Sequence, residues 1–477
     1  MSASEFRYSR VPVPEASPQE RVLTFDEVLH SYSKEEAIME ASRCLQCALP
    51  FCVEACPITQ DARGYIGLIA AGKFDDAARV VLNENPLGTT LCKVCYHYCE
   101  DACIMGDRGI PIAIRHLKRT ALEFGNSDLV YVPSQPKHER VAVVGAGPAG
   151  LMAAWELGLR GYGVTVYEKL AVVGGQAEAI PHYRMPGSEL LTDLDRFRNL
   201  DVTFVPSTKA GVDFDPVSLL REGYRAVYLA VGASKAGSPG IAGERLPGVI
   251  YALDFLLDAN EGKVAALGRK IVVIGGGDVA IDSVRSAVRF APGAQVSMVY
   301  RRTKDEAPAG PEEIHEAEPE GIQFHWLLSP VKILGTDHVE GAVFQKMQLA
   351  PPDSSGRRAV VPVPGETVTI ECDTVIMAIG QVADLEGFPG ALGLKIGSKG
   401  WPEGVHPDTM TAVEGVFASG GRSVVHAMAA GTRAAESIDA YLSAKAGRTA
   451  TPRPDPFGGP HPLPLTPHGY SEPAWRP

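Results

Sequence analysis

Apolar residues along this chain follow two periodicities. Short unbroken runs at 141–144, 164–167, 226–231, 271–274, 296–300, 374–379 and 416–418 suit strands buried on both faces. Between them lie helical patterns. One runs through Leu151, Ala154, Leu157 and Leu159; another spans 426–441, with Ala430, Ala434, Ile438 and then Tyr441 or Leu442 on one face. Upstream, Ser33 and Glu36 have capping-box spacing, so a helix starts there and runs into Cys44. Residues 1–24 are polar and proline-dotted and predict an extended arm, and 125–139, with Pro133 and Pro136, reads as a linker. Residues 446–477 contain nine prolines, which exclude regular helix or sheet. They read either as a disordered tail or as a polyproline arm on a partner, anchored by Phe457, Tyr470 and Trp475.

Two of the strand runs end in glycine turns that open a helix, the order of a dinucleotide-binding unit. In the first, Gly145 makes the tight turn, Gly147 lets the backbone approach a pyrophosphate, and Gly150 lets helix pack on strand. The helix N-terminus adds free N–H groups and partial positive charge. The next strand ends at Glu168, placed for a ribose hydroxyl. In the second unit Gly275 and Gly277 are followed by Ala280 in place of the third glycine, and the next strand ends in Arg301 and Arg302. An acid suits a free 2′-hydroxyl, whereas arginines suit a 2′-phosphate. The first unit is therefore expected to hold FAD and the second NADP(H); NAD(H) fits if the two arginines are only a solvated pair.

Gly174, Gly175, Gln176 and Arg184 follow the first unit and are candidates for the flavin rim, although the glycine spacing equally fits a plain surface loop. Gly232, Gly380 and Gly420 end buried-strand runs and are expected to cover the cofactor. Asp282 and the acidic stretch 312–320 read as solvated helix faces, 351–356 as a hairpin loop, and Cys372 as a buried strand-end cysteine.

Eight of the nine cysteines lie between Cys44 and Cys103. Cys44, Cys47, Cys52 and Cys56 precede Pro57 with intervals of two, four and three residues; Cys92, Cys95, Cys99 and Cys103 follow with two, three and three. In a chain whose start shows no apolar leader run, such clustering favours metal over disulfides. The spacing is that of ferredoxins, where the fourth cysteine often serves the other cluster. The expected sets are Cys44, Cys47, Cys52 and Cys103 around one [4Fe–4S] cluster, and Cys56, Cys92, Cys95 and Cys99 around the second. Zinc is the alternative. His97 reads as a polar neighbour of the second set rather than a ligand.

Composition narrows the class. A chain of 477 residues, 45% hydrophobic and 21% charged, is ordinary for a protein of about three domains with a large core. A net charge of −12 argues against general nucleic-acid binding, and no apolar run reaches membrane-spanning length. A cytoplasmic protein with no integral membrane segment is expected.

The ordered motifs around Cys44–Cys56, Gly145–Gly150, Gly275–Asp282, Arg301–Arg302 and 415–418 resemble the small (beta) subunit family of NADPH-dependent glutamate synthase. They are also similar to the electron-input half of dihydropyrimidine dehydrogenase. The match covers roughly 25–445. It implies an α/β fold in which a helical two-cluster iron–sulfur domain precedes nested FAD and NAD(P)H Rossmann-like domains, as in pyridine-nucleotide disulfide reductases. The domain expectation is an arm at 1–24, the iron–sulfur domain at 25–130, FAD domain at 138–240 and 375–445, NAD(P)H domain at 241–374, and the tail at 446–477. No redox cysteine pair follows Gly175, which argues against disulfide reduction.

The resemblance further implies that NAD(P)H gives a hydride to FAD, whose electrons leave singly through two clusters to a large catalytic oxidoreductase subunit in a hetero-oligomer. Hydride transfer needs positioning and exclusion of water, so no catalytic acid or base is assigned. Two alternatives stand beside it: an NAD(P)+-reducing subunit of a 2-oxoacid or other ferredoxin-coupled oxidoreductase, and a zinc-stabilised scaffold without activity. The family aspartate that binds the flavin ribityl chain is replaced here by Gly421, followed by Arg422. The place of the family's non-cysteine cluster ligand falls at Lys118, with Cys92 available to complete an all-cysteine site.

Overall fold

The computed structural model describes residues 8–126, 131–264, 266–352, 358–396, 402–403 and 409–457. The N-terminal third is helical. Its main helices are Lys34–Ala41, Ala62–Ala70, Phe74–Glu84, Gly88–Val94 and Ile114–Phe124. The first is opened by the expected capping box of Ser33 and Glu36. These helices bury one apolar core that includes Tyr65, Ile69, Val81, Leu117 and Ala121. Seven of the eight clustered cysteines sit on the turns and single-turn helices that join them, and Cys92 lies within Gly88–Val94.

Two parallel five-stranded sheets follow, with the same construction. The first orders its strands Val416–Ala418, Tyr224–Leu229, Arg140–Val144, Gly163–Tyr167, Val202–Val205. The second runs Val249–Tyr251, Thr374–Met377, Lys270–Ile274, Gln295–Tyr300, Gln323–Trp326. In both, the strand before the glycine turn is central, so the turn lies at the carboxyl edge of a sheet shielded on both faces. Helix Pro148–Leu159 of the first unit packs against Val424–Lys445, with Gly431 close enough that a Cβ there would stand 2.2 Å from the Ala149 carbonyl oxygen. An antiparallel sheet of Leu328–Leu334, Gly341–Pro352 and Arg358–Glu371 extends the second unit. Of the hairpin loop expected at 351–356, Pro351 and Pro352 end the strand Gly341–Pro352 and 353–356 lie outside the described residues; Cys372 is buried as expected.

Three expectations change. Asp282 and part of the acidic stretch are not solvated, although Glu312 and Glu318 keep side-chain exposures of 45% and 42%. Arg184 binds both oxygens of Asp282 at 2.7 and 2.8 Å and reaches Glu313 at 2.8 Å. Glu320 is buried and holds Arg285 at 2.8 Å, Arg289 at 3.0 Å and Arg21 of the N-terminal arm at 2.8 Å. A charge on a helix becomes interior when a neighbouring element supplies the opposite sign, and helical period alone does not report that neighbour. The arm itself is not simply extended: it forms a capped turn at Pro18–Arg21, and Arg10 pairs with Glu100.

The tail is the third. As far as Phe457 it lies on its own chain. Phe457 stacks on Tyr131 at 5.0 Å and on the Arg79 guanidinium at 5.2 Å, while Tyr131 meets the buried Trp155 edge-on at 4.4 Å. The Val132 N–H donates to the Pro456 carbonyl at 2.8 Å, and Arg453 pairs with Glu156 at 2.8 Å. Phe457 thus pins the helical domain to the first sheet; burying one such ring is worth about 2 kcal/mol. Tyr470 and Trp475 lie outside the described residues.

Candidate functional site

Two cavities open among the cysteine turns. Cys44, Cys47, Cys52 and Cys103 line the first together with Ile66 and Ile114. Cys56, Cys95 and Cys99 line the second, along with Tyr65 and Lys118. The cavities are neighbours, since Cys52 and Ile114 belong to both walls. All nine cysteines are free thiols. Burial pushes Cys44 up to about 12 and Cys52 up to about 11, and raises Cys99 well above the ordinary thiol range. Bare thiolates are therefore unfavourable here, and a bound cationic centre is what offsets that cost. Left-handed turns at Gln46 and His97 aim N–H groups at sulfur: Gln46 Nε2 donates to Cys44 Sγ at 3.5 Å, and the His97 backbone to Cys95 Sγ at 3.4 Å.

The donor set fits iron–sulfur clusters better than single ions. One tetrahedral zinc with bonds of about 2.3 Å would draw its sulfurs to within about 4 Å of each other. Among the described residues no three such side chains converge on one ion; the thiols instead ring open space. Cys92 does not line the second cavity. It is buried beside it, and its thiol donates to the Thr89 carbonyl at 3.1 Å, because the helix Gly88–Val94 turns that side chain back along its own axis. His97 does border the second cavity, but its Nε2 lies 3.2 Å from Glu312.

At the first glycine turn, Gly145 has φ +105°, and a Cβ on Gly150 would stand 1.9 Å from the Gly145 carbonyl oxygen, so the turn tolerates no side chain. Gly175 packs directly on Gly147, and the Gln176 amide donates to Ala233 and, at 3.0 Å, to Gln381. Gln176, next to Gly175, is thereby tied to the residues that follow Gly232 and Gly380. Glu168 is buried beneath the turn: its carboxylate accepts from Ala146 N–H at 2.7 Å and from Leu170 N–H at 2.9 Å. A carboxylate keeps further acceptor sites, so this geometry still suits a ribose hydroxyl. Arg184 is not at a flavin rim. Its guanidinium is taken by Asp282 and Glu313, which join the two nucleotide units.

Gly421 stands where the resemblance implies an aspartate. A Cβ there would stand 2.2 Å from the Ala427 nitrogen, so the chain turns into helix Val424–Lys445 with no room for a side chain. Gly420, Gly421, Arg422, His426 and Arg433 instead border a cleft of about 460 Å³ that also touches Pro57. Cationic side chains and a helix N-terminus replace the aspartate, a set suited to the anionic part of a dinucleotide.

At the second turn, Gly277 has open space on its Cβ side, and Gly276 lies against the Tyr300 ring. Ala280 is buried without strain. Arg301 and Arg302 stand at the strand end, and neither is held by a carboxylate among the described residues. Sequence reading missed what faces this unit. Tyr96, between Cys95 and Cys99, donates its hydroxyl to Asp278, the first residue of the nucleotide helix. Arg115 binds Glu312 at 2.9 Å, and together with His97 holds it down to about 2. A tyrosine and a histidine inside a cysteine loop, opposite an acidic helix, were the available signal.

Comparison with known proteins agrees with this architecture. Residues 21–128 match the family described as dihydropyrimidine dehydrogenase domain II, 4Fe-4S cluster, and 139–436 match pyridine nucleotide-disulphide oxidoreductase. The glutamate synthase [NADPH] small chain of Azospirillum brasilense is 32% identical over 92% of this chain and 96% of its own. The beta subunit of the NADP(+)-dependent formate dehydrogenase of Moorella thermoacetica is 37% identical over 82% of this chain, which spans 60% of that relative's length. Mycobacterium tuberculosis FprA in complex with NADPH shares the fold, with a TM-score of 0.55 and 20% identity over 67% of this chain and 88% of that one. Among the described residues no helix is long and apolar enough to cross a membrane. The chain belongs to the glutamate synthase small-chain family, an NAD(P)H-dependent oxidoreductase in which a 4Fe-4S domain precedes pyridine nucleotide-disulphide oxidoreductase domains.

Proposed function

We infer that this chain passes electrons between NADP(H), FAD and two [4Fe–4S] clusters, to or from a larger catalytic subunit. One observation carries the reading: the three cavities are lined by the same or by adjacent residues. Pro57, next to Cys56, borders the cleft at Gly420, and Val425 of the helix that follows that cleft borders the second cavity. The second cavity shares Cys52 and Ile114 with the first. The chemistry FAD would supply when bound is conversion of one hydride, two electrons, from the nicotinamide into two single-electron transfers. The protein supplies the rest: it orients both nucleotides, excludes water, and brings the cysteine turns against the flavin cradle.

NADP(H) is favoured over NAD(H) by the two unpaired arginines at the second strand end. A hetero-oligomer is supported by the names of the relatives, a small chain and a beta subunit. Neither a side-chain nucleophile nor a general base is required. Anaerobic addition of NADPH to the reconstituted chain should bleach flavin absorbance and then iron–sulfur absorbance. Zinc in stoichiometric amount with no flavin would overturn the reading. Co-purification identifies the partner: a glutamate synthase large chain supports that assembly, and a formate or 2-oxoacid oxidoreductase subunit assigns the other.

A further inference from the structure

The three residues between Cys95 and Cys99 each reach a nucleotide unit. Tyr98 meets His426 edge-on at 5.3 Å, beside the cleft at Gly420. His97 Nε2 lies 3.2 Å from Glu312, and the Tyr96 hydroxyl donates to Asp278 Oδ2. Asp278 opens the helix that follows the second glycine turn, directly after Gly277. Its other oxygen, Oδ1, accepts from the Gly310 N–H at 3.2 Å. Gly310 lies two residues before Glu312. The carboxylate is therefore held at both oxygens, directly by Tyr96 and through the 310–312 segment that His97 and Arg115 tie down at Glu312.

An acid at this place needs such restraint. A helix N-terminus attracts any anion, and a carboxylate in the first turn competes with a bound pyrophosphate for the same N–H groups and partial positive charge. At the first glycine turn the matching position, directly after Gly147, is Pro148, which carries no charge. The second turn is open at Gly277, and the two hydrogen bonds keep the Asp278 carboxylate from swinging across the helix end.

We propose that Tyr96 is a positioning residue for nucleotide binding: reaching out of the cysteine domain, its hydroxyl holds the Asp278 carboxylate away from the phosphates of NADP(H). This rests on the assignment of that nucleotide to the second unit. The consequence is that the cysteine domain, and not the nucleotide unit alone, sets how tightly the dinucleotide is held. Loss of the hydroxyl frees a negative charge beside the phosphates and weakens binding, while the bound nucleotide still transfers its hydride at the same rate.

The test uses the full chain loaded with flavin and iron–sulfur clusters, with ferricyanide as the electron acceptor. Tyr96→Phe keeps the ring and removes the hydroxyl. It should raise KM for NADPH about tenfold and leave kcat within about twofold. Adding Asp278→Asn should return KM to within about twofold of the wild-type value, because the amide has no charge to repel phosphate. Asp278→Asn alone should not raise KM. An unchanged KM in Tyr96→Phe would overturn the proposal. So would an equal rise with and without Asp278→Asn, which is what a purely structural contact gives. If Tyr96→Phe loses its iron or flavin, Asp278→Asn in the otherwise wild-type chain decides: a KM at or below the wild-type value supports the proposal, and a raised KM refutes it. A wild-type chain that oxidises neither NADPH nor NADH would instead refute the assignment of the second unit itself.

Discussion

The two nucleotide units are built on one plan and finished for different ligands. Each has a five-stranded parallel sheet with the glycine turn on its central strand. The first turn is crowded at its third glycine and from the following loop: Gly150 lies against the Gly145 carbonyl, Gly175 packs on Gly147, and Glu168 is buried beneath. The second turn is as tight at Gly275, where a Cβ would stand 2.3 Å from the Ala378 carbonyl oxygen, but it is open at Gly277, accepts Ala280, and is followed by two arginines that no carboxylate holds among the described residues. A cofactor that stays bound is best served by a tight, dry cradle, and a substrate that exchanges needs an open one. The difference lies less in the motif than in what packs on it.

The largest expected effect comes from the join between the units. Arg184→Ala would strand Asp282 and Glu313 without their cation. A loss of about 3–5 kcal/mol in unfolding free energy is expected, read by denaturant titration. An unchanged midpoint would mean that the units do not depend on this contact.

Next is a reciprocal exchange at the turns. Gly150→Ala should cost about 1–3 kcal/mol and release the flavin on gel filtration. Ala280→Gly in the second unit should cost at most about 1 kcal/mol, the ordinary helix penalty, and leave nucleotide binding intact. Equal effects at both positions would erase the distinction drawn between crowded and open turns.

The arginines come third. Arg301→Ala and Arg302→Ala should each lower the preference for NADPH over NADH about tenfold, equivalent to about 1.4 kcal/mol, measured as a ratio of kcat/KM values. Retained preference in the double variant would mean that the 2′-phosphate is read elsewhere.

The smallest effect concerns Glu312, which ties the acidic helix to the cysteine loop. Its carboxyl is lowered to about 2, chiefly by the hydrogen bond from His97 and then by Arg115. A depressed carboxylate stabilises the fold above its unfolded value and loses that contribution as pH falls. The window therefore runs from about 4.5 down to about 2. Because the Glu312 side chain is 45% exposed, solvent screens the pair and the contribution should stay below about 1 kcal/mol. Thermal melts of the wild-type chain and Glu312→Gln across that range should converge at the acid end.

Sequence legibility differed between the two kinds of site. Both glycine turns, Glu168, Arg301 and the cysteine turns follow local rules, in which neighbours in sequence define the chemistry, and they were readable at once. The first cavity was also legible in outline, because Cys103 returns to Cys44, Cys47 and Cys52 as ferredoxin spacing implies. The second set was not. Cys92 has the right residue type and spacing, yet its helix turns it toward Thr89 and leaves Lys118 on the cavity wall.

What the sequence alone determined is therefore the identity and order of the parts: two clustered sets of thiols, glycine turns after two central strands, and an acid or a pair of arginines at the end of the next strand. Only the tertiary structure decided their partners. It drew Arg184 from the flavin side to Asp282, buried the acidic helix against Arg115, Arg285 and Arg21, and laid Phe457 across two domains. The physical reason is that charge pairing and burial are set by elements as far as 309 residues apart, whereas turn geometry is set within a few.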